Sequence, residues 1–291
     1  MSQKALFTRQ KTLVEEISRD PVSADLLFTL FSSAVGTEFL DPRTPMPRDK
    51  TLEEIVQTMP SMRELAKCSN DTELKSKVGS ESFDVLRCAI LESPSAYALL
   101  PESLEIPEFR RRNTNDNEKC YQFAVIESPP EKEHLFQICK EKAKGSIYLT
   151  HGSIPERWNQ INREELRDMS KTPRLVLNGS TFGPGISLSP TTDQSIAYGR
   201  EMSNKYPKSE LGSKISIVCL CEVANLPDRE EVSVKVDDNK TLTGVLRFHE
   251  HSYTLTLEEA CIIRYLFVNL DSKIDTLNNQ TVINHLQTKF Q

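Results

Sequence analysis

Residues 215–223 read Ile-Ser-Ile-Val-Cys-Leu-Cys-Glu-Val, and this stretch is the clearest strand signal in the chain. β-Branched and other apolar side chains dominate it, as is typical of a strand. Cys219 and Cys221 are two residues apart, so on a strand they face the same side, where a free cysteine packs as a small apolar residue. We therefore expect the second half of the chain to contain a β-sheet.

Other strand patterns lie on both sides of this stretch. They cover residues 121–126, 146–150, 231–236, 252–256 and 262–270. Helical patterns are fewer here and cover residues 132–144 and 194–206. This mixture predicts an α+β domain with a mostly antiparallel sheet.

The first 105 residues have a helical pattern instead. Asp20 and Pro21 are suited to the N-cap and the first position of a helix. Residues 51–54 and 61–64 read Thr-Leu-Glu-Glu and Ser-Met-Arg-Glu, which fit the capping box. Another helix is expected from about residue 82 to 91. We predict an all-helical regulatory domain at residues 1–105, packed on a second domain at residues 106–291.

The charge and cysteine content of the chain argue against some classes of protein. The net charge of −6 argues against a nucleic-acid binder, and the short run Arg110-Arg111-Arg112 is typical of a solvated loop. The 7 cysteines are scattered without a CxxC pair, which favours a reducing, intracellular compartment. The sequence contains neither a secretory signal nor an apolar window that could span a bilayer.

Three short stretches contain residue types that bind ligands or take part in catalysis. They are Thr-His-Gly-Ser at 150–153, Gly-Pro-Gly-Ile-Ser-Leu-Ser at 183–189 and Ser-Ile-Ala-Tyr at 195–198. Glycine after the histidine lets a ligand approach the backbone, and the hydroxyl that follows can bond a ribose. The second stretch is not a Rossmann fingerprint, because no helix with a third glycine follows it. Taken singly, each stretch is more typical of a structural role.

Taken together, with Phe182 and Trp158 between them, the stretches resemble the catalytic domain of the poly(ADP-ribose) polymerases. That family has His-Gly-Ser at a strand end and a Gly-x-Gly-Ile-Tyr-like turn. A serine follows eight residues after that tyrosine, and a stacking tyrosine follows eleven after it. Counted from Ser187, these offsets fall on Ser195 and Tyr198. The similarity runs from residue 19 to about residue 271 and is greatest to a small, tail-anchored endoplasmic-reticulum member.

The resemblance implies an ADP-ribosyltransferase domain with a split sheet, and NAD as its substrate. The backbone of Gly152 would bind the nicotinamide carboxamide together with the Ser195 hydroxyl. Tyr198 would stack on the nicotinamide ring. His151 and Ser153 would bond hydroxyls of the two riboses.

Two positions depart from the family pattern. The strand tyrosine that covers the second face of nicotinamide falls on Ser187, which cannot stack. The third motif position, a glutamate in polymerising members, falls on Ser252, or on Tyr253 or His251 if the register shifts by one. Glu250 would share a strand face with Ser252. We therefore take His151, Ser187 and Ser252 as the candidate catalytic set.

Without that glutamate, chain elongation is disfavoured, because no carboxylate activates an acceptor hydroxyl. Two readings stay open. One is a mono-ADP-ribosyltransferase that acts on protein acceptors, including itself. The other is an inactive module that binds NAD or ADP-ribose.

Two other patterns have weaker links to function. His249-Glu250-His251 could place two histidines on one side of a strand, but no further ligand is apparent, so we expect a surface strand and no metal. Ser153 lacks a hydrolase pattern. The expected location is the cytoplasm, or the cytosolic face of the endoplasmic reticulum if a membrane tail is missing from this sequence.

Overall fold

A computed structural model of the chain describes residues 11–110, 119–169, 183–228, 231–236, 240–280 and 282–284. Phe182 of the motif, and Arg111 and Arg112 of the basic run, lie outside these ranges.

The larger sheet is antiparallel throughout and has the strand order β1-β2-β12-β7-β3. Its strands are β1 Ala96–Leu99, β2 Tyr121–Glu127, β3 Ser146–Ser153, β7 Ile217–Ala224 and β12 Cys261–Val268. Every residue of β7 and β12 is buried, so these two strands form the centre of the core. β3 is an edge strand, and its free edge is where the candidate site lies.

A smaller sheet has the order β10-β11-β4, and two hairpins complete the β-structure. The strands of this sheet are β4 Ile186–Leu188, β10 Leu246–His249 and β11 Ser252–Leu255. The hairpins pair β5 Met202–Ser203 with β6 Lys214–Ile215, and β8 Val232–Lys235 with β9 Thr241–Gly244.

The helices divide into a group before the larger sheet and a group within the second half. The first group is α1 Leu13–Arg19, α2 Pro21–Ala34, α3 Leu52–Thr58, α4 Met62–Leu65, α5 Asp71–Val78 and α6 Ser80–Leu91. The second group is α7 Pro130–Ala143, α8 Trp158–Glu164 and α9 Thr192–Tyr198. Within the described ranges, none of them is both long and apolar enough to cross a bilayer. This arrangement confirms the predicted α+β class.

Side-chain caps fix the starts of the early helices as predicted. The carboxylate of Asp20 accepts a hydrogen bond from the Ser23 N–H at 3.0 Å, with Pro21 at the first position of α2. The capping boxes that begin with Thr51 and Ser61 are both complete. Each cap satisfies amide groups that have no partner inside the helix, a contribution of about 1 kcal/mol.

Two local predictions are wrong. The helix expected at residues 194–206 ends at Tyr198, because Met202 and Ser203 pair with β6 as strand β5. Residues 96–99, which belong to the predicted helical region, form strand β1 instead and pair with β2. This segment is a strand because it pairs with β2, which is distant in sequence, and the local sequence does not predict that pairing. The division at residue 105 stays a prediction.

Residues 204–211, which we call the docking segment, form one of the contacts between the helical region and the second half. Its Tyr206 hydroxyl donates to the Pro60 carbonyl at 2.6 Å, and the Tyr206 ring packs edge-on against Phe28 with centroids 4.9 Å apart. The Lys205 ammonium donates to the Val35 carbonyl at 2.7 Å, just after the end of α2. The buried carboxylate of Asp25 accepts from the Glu210 N–H at 2.9 Å. The docking segment begins six residues after α9 ends.

A buried carboxyl group gives a stability prediction. Desolvation raises the pKa of Glu165 from 4.5 to about 7, although its carboxylate accepts from the Ile263 N–H. The folded state therefore favours the protonated form. That stabilisation is complete below pH 4.5 and is lost as the pH rises through 7.

We expect urea unfolding to show similar stabilities for Glu165→Gln and wild type near pH 4.5. By about pH 8 the variant should have gained about 3 kcal/mol relative to wild type. A difference that stays constant with pH would contradict this assignment.

Candidate functional site

Successive residues along the free edge of β3 have different hydrogen-bond partners. The Tyr148 carbonyl accepts from the Thr276 hydroxyl at 2.7 Å. Thr150 exchanges two backbone hydrogen bonds with Ser189, at 2.7 and 2.8 Å, and this bridge joins the edges of the two sheets. Peptide groups on a strand alternate in direction, so the N–H and C=O of Gly152 point outward as those of Thr150 do. In the part of the chain that the structure describes, no residue pairs with them.

α9 lies across this end of β3. A Cβ on Gly152 would lie 1.7 Å from the Ser195 carbonyl oxygen, so only glycine fits there. The Ser195 hydroxyl is 2.8 Å from the Thr150 hydroxyl and is buried. Tyr198 follows one turn later on α9, and its side chain is 50% exposed. The structure thus brings Gly152 and Ser195 into contact and leaves the Tyr198 ring available to a ligand.

The outward N–H and C=O of Gly152 form a two-point site. They offer one donor and one acceptor side by side, which matches a group that carries both, such as a carboxamide.

His151 joins β3 to β4. Its Nδ1 lies 2.8 Å from the Ser187 carbonyl oxygen, and because a carbonyl only accepts, Nδ1 carries the proton. Desolvation lowers the pKa of His151 below its usual 6.5, so the ring is neutral at physiological pH. Nε2 is then a hydrogen-bond acceptor, the chemistry needed to bind a hydroxyl.

Trp158 fixes the end of β3. Its indole Nε1–H donates to the Ser153 carbonyl at 2.9 Å, and its side chain is fully buried. The motif spacing from Ser153 to Trp158 therefore has a structural cause, because the indole holds the strand end beside the candidate site.

Ser187 and Ser252 lie on neighbouring strands of the smaller sheet. Ser187 pairs with Thr254, and Ser252 is two residues from Thr254, so all three side chains share one face. The hydroxyls of Ser252 and Thr254 are buried, and neither has a hydrogen-bond partner among the described residues. Ser187 is exposed. This face supplies hydroxyls where the family pattern has a tyrosine and a glutamate.

The interpretation of residues 249–251 as one strand is wrong. His249 ends β10 and pairs with Ser252, while Glu250 and His251 form the turn between β10 and β11. Glu250 has a φ of 44°, a turn conformation. Strand alternation therefore does not place Glu250 beside Ser252, and it does not place the two histidines on one side.

A cavity of about 140 Å³ lies elsewhere, between α1, α2 and β1, with Asp20, Ser95 and Tyr97 among its lining residues. None of the candidate site residues lines it. The candidate site instead lies at the free edge of β3, beside the bridge to Ser189 that joins the two sheets.

Sequence reasoning gave no role to Thr150 or Thr254. The signal was available, because side chains two residues apart on a strand share a face. Thr150 is two residues before Gly152, and Thr254 is two residues after Ser252.

Comparison with known proteins gives relatives of modest identity. No protein-family model matches the chain. Protein mono-ADP-ribosyltransferase PARP8 from mouse is 28% identical over 221 residues, which are 69% of this chain and 24% of that protein. Human PARP8 is 28% identical over 215 residues, again 24% of its length. The chain therefore matches about a quarter of these PARP8 proteins. Protein mono-ADP-ribosyltransferase PARP16 from mouse is 24% identical over 281 residues, 87% of this chain and 81% of that protein.

Proposed function

This chain belongs to the poly(ADP-ribose) polymerase superfamily, and we propose from that premise that it moves one ADP-ribose unit from NAD to a protein acceptor. Nicotinamide is the leaving group, and the chain itself is among the acceptors. The observation that carries this proposal is that the N–H and C=O of Gly152 point outward from β3, with Ser195 packed directly against this glycine.

Each candidate residue has a physical role in this proposal. The N–H and C=O of Gly152 bind the nicotinamide carboxamide, and the Ser195 hydroxyl adds a third hydrogen bond. Tyr198 stacks on the ring, which adds about 0.5–1.5 kcal/mol beyond burial. The Nε2 of neutral His151 accepts from a hydroxyl of the adenosine ribose. Ser153 bonds the nicotinamide ribose.

The reaction breaks the bond between C1′ of ribose and nicotinamide. Its transition state resembles an oxocarbenium ion, so the site must orient the ribose and stabilise developing positive charge. Ser187 and Ser252 offer hydroxyl oxygens on the face where that charge develops. With a serine at 252, transfer stops after one unit, since no carboxylate there activates an acceptor ribose hydroxyl.

A second candidate function is an inactive module that binds NAD or ADP-ribose. The observations that favour it are Ser187, which cannot cover the second face of nicotinamide, and the hydroxyl rather than carboxylate at Ser252. This function predicts that NAD raises the melting temperature but that no label is transferred.

We assign the helical region, residues 1–105, a regulatory role at the candidate site. Support comes from the docking segment, which bonds to the helical region and follows α9, the helix that carries Tyr198, in the chain. All seven cysteines are buried and none forms a disulfide, which fits a reducing compartment. We place the protein in the cytoplasm or at the cytosolic face of the endoplasmic reticulum.

Self-labelling with tagged NAD tests the enzyme. We expect wild type to label itself, and both Tyr198→Ala and His151→Ala to lose at least about fivefold in labelling, because each loses a ligand contact of about 1 kcal/mol or more. Tyr198→Phe keeps the ring and should retain labelling.

The matched control is Phe248→Ala. Phe248 is also an aromatic residue that is 50% exposed, but it pairs with Tyr253 and so faces away from Ser252. It should label as wild type does. A thermal shift without label would select the binding module, and the absence of both shift and label would reject both functions.

A further inference from the structure

Arg157 ends a short 3-10 turn, Pro155–Arg157, that closely follows β3. Its guanidinium carbon lies over the Phe39 ring, 5.0 Å from the ring centroid, and Phe39 is a buried residue of the loop after α2. The Arg157 side chain itself is half-buried. The helical region therefore holds a cation close to the strand end that carries His151.

The charge of Arg157 acts on the His151 ring. Desolvation is the main cause that lowers the pKa of His151, the bond to the Ser187 carbonyl opposes it, and the Arg157 guanidinium lowers it further. Burial also lowers the pKa of Arg157 below its usual value, against the attraction of the exposed Glu38 carboxylate. An anion that binds between Arg157 and His151 would offset the cost of burying this cation.

A guanidinium that stacks on an aromatic ring still has donors for other groups. Its five N–H donors lie in the plane of the group, whereas stacking uses only its face. Two of these donors can bind two oxygens of one phosphate, a geometry that a lysine ammonium does not reproduce. The chemistry of Arg157 therefore suits a phosphate group close to His151.

We propose that Arg157 binds a phosphate at the 2′ position of the adenosine ribose, so that the site takes NADP as well as NAD. This inference rests on the proposed function, in which His151 bonds a hydroxyl of that ribose. Esterifying the hydroxyl with phosphate puts two negative charges beside His151, where the Arg157 cation attracts them. An arginine near the ribose accommodates the 2′-phosphate of NADP in dinucleotide-binding proteins of another fold.

The neutral His151 ring is compatible with both dinucleotides. Its Nε2 accepts from the ribose hydroxyl of NAD. A phosphate monoester has a second pKa of about 6, so near that pH many of these groups still carry a proton that Nε2 can accept. Arg157 then balances the charge that remains on the phosphate.

The test compares dissociation constants for NAD and NADP, measured calorimetrically on the full chain at about pH 6.5. We expect wild type to bind NADP at least as tightly as NAD. Arg157→Gln removes the charge and should weaken NADP by at least about tenfold, while NAD changes by less than about threefold, because only NADP has the extra phosphate. Arg157→Lys keeps the charge without the planar fork and should lie between them.

Two further variants serve as controls. Arg87→Gln removes an exposed arginine of the helical region, on α6, which pairs with Glu92 at 3.4 Å, and it should bind both dinucleotides as wild type does. Phe39→Leu keeps an apolar side chain but removes the aromatic face under Arg157. It should weaken NADP by about threefold and leave NAD unchanged.

The outcomes separate this inference from the proposed function. Wild type that binds NAD but binds NADP more than about tenfold more weakly overturns the inference while the proposed function stands. An equal loss of both ligands in Arg157→Gln also overturns it, because Arg157 would then bind a group common to both, such as the pyrophosphate. Wild-type protein that binds neither dinucleotide overturns both.

Discussion

The Gly152→Ala variant should lose both the thermal shift with NAD and all detectable self-labelling, a fall of at least about a hundredfold. The new Cβ would lie 1.7 Å from the Ser195 carbonyl oxygen, and that atom belongs to the helix backbone rather than to a movable side chain. α9 must therefore move away from β3. The shift displaces Ser195 and Tyr198 together and separates both from the peptide edge of Gly152. Overpacking of this kind also lowers the free energy of unfolding by about 1–3 kcal/mol.

Gly79→Ala is the matched control for this prediction. Gly79 lies between α5 and α6, and an added Cβ would meet nothing within 4 Å. Its φ of 90° makes alanine strained, so stability should fall by about 1 kcal/mol or more, as in the test variant. Labelling should remain. If Gly152→Ala labels as well as Gly79→Ala, the nicotinamide site lies elsewhere.

Tyr206→Ala should lower the free energy of unfolding by about 3–5 kcal/mol, the largest stability effect we expect from a single substitution. Tyr206 is 1% exposed and inserts its ring from the docking segment against Phe28 of α2. Removing the ring leaves a cavity between the helical region and the second half. It also leaves the Pro60 carbonyl without the hydroxyl that bonds it at 2.6 Å. Urea unfolding followed by circular dichroism measures the loss.

Tyr206→Phe isolates the hydroxyl and should lose only about 1 kcal/mol. A loss equal to that of Tyr206→Ala would mean that the hydrogen bond, and not ring packing, holds the docking segment. If Tyr206→Ala were as stable as wild type, this contact would not stabilise the fold.

Local signals in the sequence were sufficient for much of the fold. The strand at residues 215–223 and the caps at Asp20, Thr51 and Ser61 each depend on neighbours within a few positions. A cap needs only a hydroxyl or carboxylate and a free amide three residues on, so spacing alone predicts it.

The parts that sequence reasoning missed depend on distant partners. β1 is a strand because β2 lies beside it, and Glu250 is a turn residue because β10 and β11 pair around it. For the site, motif spacing put the glycine, serine and tyrosine on two elements but could not show how those elements meet. The contact between Gly152 and Ser195, and the hydroxyl pair of Thr150 and Ser195, arise only when α9 packs on β3.

The edge of β3 also bears on self-association. An unpaired strand edge is a template on which a second molecule can add a strand and begin to aggregate. Here the Tyr148 carbonyl accepts from Thr276 and both backbone groups of Thr150 bond to Ser189, so among the described residues the unpaired positions near the strand end centre on Gly152. One residue offers too few bonds to recruit an intermolecular strand, so this opening can admit a small molecule without inviting fibril-like growth.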